Sequence, residues 1–121
     1  MSDSPWHLEA QLHRLLAFRE ERDWGQFHRP KELAAALAIE AAELQELFLW
    51  REAESAATVR DDRRRIDKIR EEVADIAIFL LLLTHDLQVD LAGAISAKID
   101  ANAKRYSVDE HRGVARKADG S

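Results

Sequence analysis

The sequence predicts an all-α protein, a four-helix bundle-like subunit completed by oligomerisation. Leucines recur at 33, 37, 44 and 47, the spacing of one helical face. Residues 76–83, IAIFLLLL, are apolar without interruption inside a longer helical pattern. Only 4 Gly and 2 Pro punctuate 121 residues, and no alternating strand pattern or internal repeat stands out.

Ser4-Pro5 reads as an N-cap followed by proline at the first helical position. The helix it opens carries Leu8, Leu12, Leu15 and Leu16 on one side and is expected to end near Arg22. DWGQFHR, residues 23–29, is a loop with two aromatics and a histidine. Pro30 starts a second helix, expected to run to about Glu54, and SAAT at 55–58 is a weak break. RDDRRRIDKIREE is charge-rich, either a solvated helical segment or a mobile connection. It leads into EVADIAIFLLLLTHDL, the strongest element of the chain. A helix apolar on every side needs partners on several faces, and four helices barely surround it. A homo-oligomer is therefore expected. Asp90 is placed to cap a last helix through about Tyr106, which closes a domain at 1–106. SVDEHRGVARKADGS, residues 107–121, has no periodicity and is expected to be a disordered tail.

The totals exclude several functions. Net charge is −5, and the 18 basic residues are mixed with acids rather than gathered into a stripe. A duplex nucleic-acid surface is not expected, because neutralising phosphates needs clustered cations. A small nucleotide remains compatible, since a divalent ion reconciles an acidic protein with an anionic ligand. With no cysteine, thiolate metal sites and disulfides are excluded. The apolar run is too short to span a bilayer, and MSDSPWHLEAQLHR lacks the pattern of a signal peptide. No membrane partner is expected, and a cytoplasmic protein is the default.

The chemistry sits where acids interrupt the greasy faces. On a helical wheel Glu40 points the same way as Leu33, Leu37, Leu44 and Leu47, where a carboxylate is costly to desolvate. Glu43 lies one turn on and about 60° round, so both reach one point in space. Trp50 is two turns beyond Glu43 on nearly the same line, with Glu46 on the flank. The apolar helix repeats the device: Phe79 and Leu82 fall within about 40° of Asp75, and Glu72 lies about 60° away. E-x-x-E at 40 and 43 thus faces the same question as E-x-x-D at 72 and 75.

Four converging carboxylates repel one another strongly unless some become neutral or they share divalent cations. All-oxygen ligation without cysteine suggests Mg²⁺, or Mn²⁺ in its place. Carboxylate-bridged iron is the rival, but its signature is Glu-x-x-His. None of the 5 histidines has a glutamate three residues before it. A single Glu-x-x-Glu is common as solvated decoration of an exposed helix; two acid pairs, each inside an apolar stripe, are not.

ERDWGQFHRPKELAAALAIEAAELQELFLW and EEVADIAIFLLLLTHDLQVDLAGAISAKIDANAKRY together resemble the all-α, MazG-like nucleoside triphosphate pyrophosphohydrolases, and the dCTP pyrophosphatase branch in particular. The resemblance covers about residues 8 to 106. It implies hydrolysis of a nucleoside triphosphate, usually a deoxynucleotide, to monophosphate and pyrophosphate, in dimers or tetramers of such bundles. It also implies that Glu40, Glu43, Glu72 and Asp75 are the metal ligands. Ions held there would neutralise triphosphate charge and activate a water for in-line attack at the α-phosphorus. Glu43 or Glu46 is the candidate to accept the water's proton.

The resemblance draws Trp24 and Trp50 toward a base pocket, where the rings would stack on the base. By itself Trp24 equally reads as a staple holding its loop to the core. His28 either contacts base or phosphate or caps the helix at Pro30. On the last helix, Lys98, Asn102 and Arg105 share one face with Leu91 and Ile95. K-x-x-x-N-x-x-R-Y is similar to the family's substrate-reaching segment, which makes Lys98 and Asn102 triphosphate or sugar contacts, with Arg105 and Tyr106 beside them. Two positions depart from the dCTP-selective branch, which typically has a tyrosine where Phe79 stands and a first-helix histidine where Leu15 stands. Each change removes a polar group of the kind that rejects near-analogues. The alternatives are a sibling activity on dUTP or phosphoribosyl-ATP, or a catalytically silent helical oligomer that binds nucleotide or a protein partner.

Overall fold

The computed structural model describes residues 7–115. Among these the chain is helical, without strands: α1 Leu8–Glu21, a 3₁₀ turn Trp24–Gln26, α2 Pro30–Glu46, α3 Ala56–Asp61, α4 Arg63–Asp86, α5 Leu91–Arg105 and α6 Val108–His111. The all-α expectation holds. Residues up to Leu87 form one compact unit, and those from Gln88 form another.

Local chemistry sets most boundaries. Pro30 occupies the first turn of α2, where its missing N–H costs nothing. Ser55 accepts from the Thr58 N–H at 3.2 Å to start α3, and Asp62 accepts from the Arg65 N–H at 3.2 Å to start α4. In the second unit Asp90 accepts from the Gly93 N–H at 3.1 Å to start α5, as expected. The proposed Ser4-Pro5 start lies outside the described residues.

One boundary differs from expectation. α2 stops at Glu46, eight residues before Glu54, and the carbonyl of its C-cap Leu47 accepts from the Arg65 guanidinium at 3.3 Å. No glycine or proline announces that stop. The charge-rich stretch takes the helical alternative: Arg60 and Asp61 end α3 and, from Arg63, it forms the first turns of α4. Within 107–115 the chain makes one helical turn, α6, with the Ser107 hydroxyl accepting from the Glu110 N–H at 3.4 Å. Residues 116–121 lie outside the described residues.

The first unit is built on α4. Its main partner is α2, with α1 and α3 also packed against it. Leu33 on α2 and Leu82 on α4 are each 1% exposed. A bidentate ion pair, Arg19 to Asp86 at 2.8 and 2.9 Å, ties α1 to the end of α4. That pairing holds the Asp86 carboxyl below the usual range, despite its partial burial. Much apolar surface stays uncovered in a single chain, including Ile39, Phe48, Leu49, Val73 and Ile78. No single described helix is long and apolar enough to cross a membrane.

Leu82→Ala should cost about 2–5 kcal/mol in urea unfolding, the range for emptying a buried leucine site. Lys68→Ala, on an exposed position of the same helix, should stay within about 0.5 kcal/mol of wild type.

Candidate active site

α2 and α4 run antiparallel. The Leu47 carbonyl at the C-terminal end of α2 meets Arg65 at the start of α4, and Glu40 farther back on α2 meets Glu72 farther along α4. Each helix packs through an apolar stripe, so the acids set into those stripes come together. Glu40, Glu43 and Glu72 each offer a carboxylate oxygen, and these oxygens all lie within 4.8 Å of one another. Glu40 and Glu72 are half-buried and Glu43 is exposed, so the cluster has a sheltered floor and an open side.

The Oε2 atoms of Glu40 and Glu72 are buried without a hydrogen-bond partner. Two acceptors with no donor between them need either a proton or a cation. In the protein without metal a proton takes that role. The neighbouring Glu72 carboxylate, then burial, then Glu43 push the Glu40 carboxyl from an ordinary 4.5 up to about 7. Hard divalent cations favour such oxygen donors, and the paired orphan oxygens fit one.

The other sequence-derived positions fall in distinct places. Asp75, one turn beyond Glu72, is half-buried and lies outside the three-glutamate cluster. Glu46 is the last residue of α2 and is exposed. Trp24 opens the 3₁₀ turn, packed edge-on against Phe18 at 5.6 Å and against His28 at 6.3 Å, and remains 43% exposed. It does staple its loop to α1, and it keeps a free surface as well. His28 does not cap α2: Arg29 holds the N-cap position, and the His28 Nδ1 is buried without a hydrogen-bond partner.

Trp50 corrects the helical-wheel reading. Because α2 ends at Glu46, Trp50 does not continue the line of Glu43. It sits in the following turn with φ 63° and is 99% exposed. A bulky residue in left-handed backbone is uncommon. Lys98, Asn102 and Arg105 lie on α5 and Tyr106 is its C-cap, all in the second unit. There Asn102 and Tyr106 are half-buried, Lys98 is exposed, and the Arg105 guanidinium stands 5.5 Å from the Tyr106 ring. The Tyr106 ring also meets His111 edge-on at 5.1 Å.

Sequence reasoning passed over Arg65, 6% exposed and the one buried charged residue among the described positions. It donates to both oxygens of Glu54 at 2.9 and 2.8 Å and approaches Asp62 at 3.4 Å. In a run of six charged residues, R-D-D-R-R-R, nothing in the spelling separates it from its solvated neighbours.

A model of the MazG-like family matches residues 35–120. The chain belongs to the MazG-like family. It is 41% identical over 116 residues to dCTP pyrophosphatase 1 of Rattus norvegicus, covering 94% of this chain and 68% of that protein. To the Bos taurus dCTP pyrophosphatase 1 it is 42% identical over 98 residues, covering 81% of this chain. This MazG-like chain thus spans 58% of the bovine protein's length. Among solved structures, a pyrophosphatase from Archaeoglobus fulgidus superposes with a TM-score of 0.75 at 34% identity, covering 88% of this chain and 98% of the other.

The shared proton dictates a pH response. Glu40 has a folded value of about 7 against an ordinary 4.5, so its contribution to stability is full below about 4.5 and is lost as pH rises through 7. Metal-free protein should therefore melt at falling temperature between pH 5 and pH 8, and Glu40→Gln should flatten that slope. Added Mg²⁺ should raise the melting temperature more at pH 8 than at pH 5.5, because protons compete for the same oxygens.

Proposed function

We propose that this chain is a Mg²⁺-dependent nucleoside triphosphate pyrophosphohydrolase, acting in the cytoplasm on deoxynucleotides, dCTP-like ones first. The observation that carries the proposal is the meeting of Glu40, Glu43 and Glu72 at one point with two orphaned buried oxygens. Support comes from the family and from relatives named for dCTP hydrolysis.

Glu40, Glu43 and Glu72, joined by Asp75, would hold the cations. Mg²⁺, with Mn²⁺ able to replace it, would supply charge neutralisation on the phosphates and Lewis-acid activation. The chain's own residues divide the remaining work. An exposed carboxylate of α2, Glu43 or Glu46, takes the proton of the attacking water. The water oxygen bonds to the α-phosphorus, the α–β anhydride bond breaks, and pyrophosphate leaves with the monophosphate as the other product. No protein nucleophile is needed, and the sequence has no cysteine to act as one.

Recognition falls to residues outside the acidic cluster. The exposed faces of Trp24 and Trp50 are suited to stack on a base, and the unpartnered His28 Nδ1 to bond a base edge or phosphate. Lys98, Asn102, Arg105 and Tyr106 would meet the triphosphate and sugar. A homodimer or homotetramer would cover the apolar side chains that one chain leaves open, Phe48, Leu49 and Ile78 among them. Neither duplex nucleic acid nor a membrane is a partner in this proposal.

Incubating the protein with a nucleotide panel, with and without Mg²⁺, tests the assignment. Monophosphate plus pyrophosphate, abolished by a chelator, is expected, with dCTP among the fastest substrates. Orthophosphate release or chelator-insensitive turnover would sink it. Turnover by Glu43→Ala and Asp75→Ala should drop by on the order of a hundredfold or more, with circular dichroism unchanged.

A further inference from the structure

Arg65 stands out for where it is buried. The described residues hold only two fully buried apolar side chains, yet a guanidinium 6% exposed joins them. Leaving water is costly for a charge unless it is paired and hydrogen-bonded. Arg65 is paired through four neighbours, Glu54 by two bonds at 2.9 and 2.8 Å, the Leu47 carbonyl at 3.3 Å, Asp62 by an ion pair at 3.4 Å and the Phe48 ring at 5.6 Å, while its Nε makes no hydrogen bond. These neighbours belong to three segments that are separate in sequence. Leu47 caps α2, Phe48 and Glu54 lie in the connection that carries Trp50, and Asp62 caps α4.

The helical register links this knot to the acids. Arg65 precedes Glu72 by seven residues on α4, and Leu47 follows Glu40 by seven on α2. Seven residues are two turns, about 10 Å along the same line of a helix. Arg65 therefore pins α2 to α4 on the two lines that bring Glu40 and Glu72 together, one layer away. Sliding either helix by one residue would shift its carboxylate by about 1.5 Å and turn it by about 100°. Leucine packing tolerates such drift better than a fixed fork of hydrogen bonds does.

We propose that Arg65 is a positioning residue: its bonds to Glu54 and the Leu47 carbonyl set the α2–α4 register at which Glu40, Glu43 and Glu72 converge, and anchor the Trp50 turn. The inference rests on the proposed metal-dependent hydrolysis, and two readouts separate the claims. Mn²⁺, which takes the same oxygen ligands, is titrated calorimetrically into folded protein, and KM and kcat are measured on dCTP. Wild-type protein that neither binds Mn²⁺ nor turns over nucleotide defeats the functional proposal itself.

With wild type intact, Arg65→Met should weaken Mn²⁺ binding on the order of tenfold and raise KM, at temperatures where it is fully folded. Arg65→Lys, which keeps the charge but loses the fork, should fall between. Should Arg65→Met not fold, Glu54→Gln carries the test, with the same direction and a smaller effect. Arg70→Ala removes an exposed pair with Asp67 on the same helix and should leave both constants unchanged. Variants that melt earlier yet bind Mn²⁺ and dCTP as wild type would reduce Arg65 to a stabilising residue and overturn the positioning claim.

Discussion

The antiparallel packing of α2 along α4 governs everything else in the first unit. Each helix packs through an apolar stripe, and each stripe contains acids at the spacing of its own turns. Pairing the stripes to remove apolar surface from water forces Glu40 and Glu72 against each other. The hydrophobic effect thus brings like charges together, and they must then be compensated. Without metal, a proton shared at Glu40 does this; a divalent cation would do it at higher pH. A fold that only needed stability would carry leucine at those positions.

The elements around this pair differ in how firmly they are held. The carboxylates ride on two long helices whose ends are tied by charge-assisted bonds, Arg65 at one end of α4 and Arg19–Asp86 at the other. The aromatic candidates instead occupy short turns. Trp24 leans on Phe18 at the mouth of the loop after α1, and Trp50 stands in left-handed backbone between α2 and α3. Rigid helices suit groups that must hold a geometry. Turns suit groups that must admit a ligand and release it.

Leu15 and Phe79, where the sequence departs from the branch it resembles, lie on α1 and α4. Leu15 lines an apolar groove of about 430 Å³ between α1 and α4, beside Ala77 and Ile78, and Phe79 is half-buried on α4. Neither side chain offers the hydrogen bond that a tyrosine or histidine would.

The sequence by itself determined the helical class, the starts of α2 and α5, and the two acid pairs, because each depends on spacing within one segment. Helical periodicity places Glu40 with Leu33, and Pro30 or Asp90 acts on its own turn. Tertiary structure alone decided where α2 stops, which arginine is buried, and that Trp50 leaves the Glu43 line. Around them lie contacts between distant segments, the Arg65 guanidinium reaching the Leu47 carbonyl and Glu54. It likewise decided that Glu40, Glu43 and Glu72 meet while Asp75 stays outside their cluster. Periodicity says which way a side chain points on its own helix; only the packing of a second helix says what it meets.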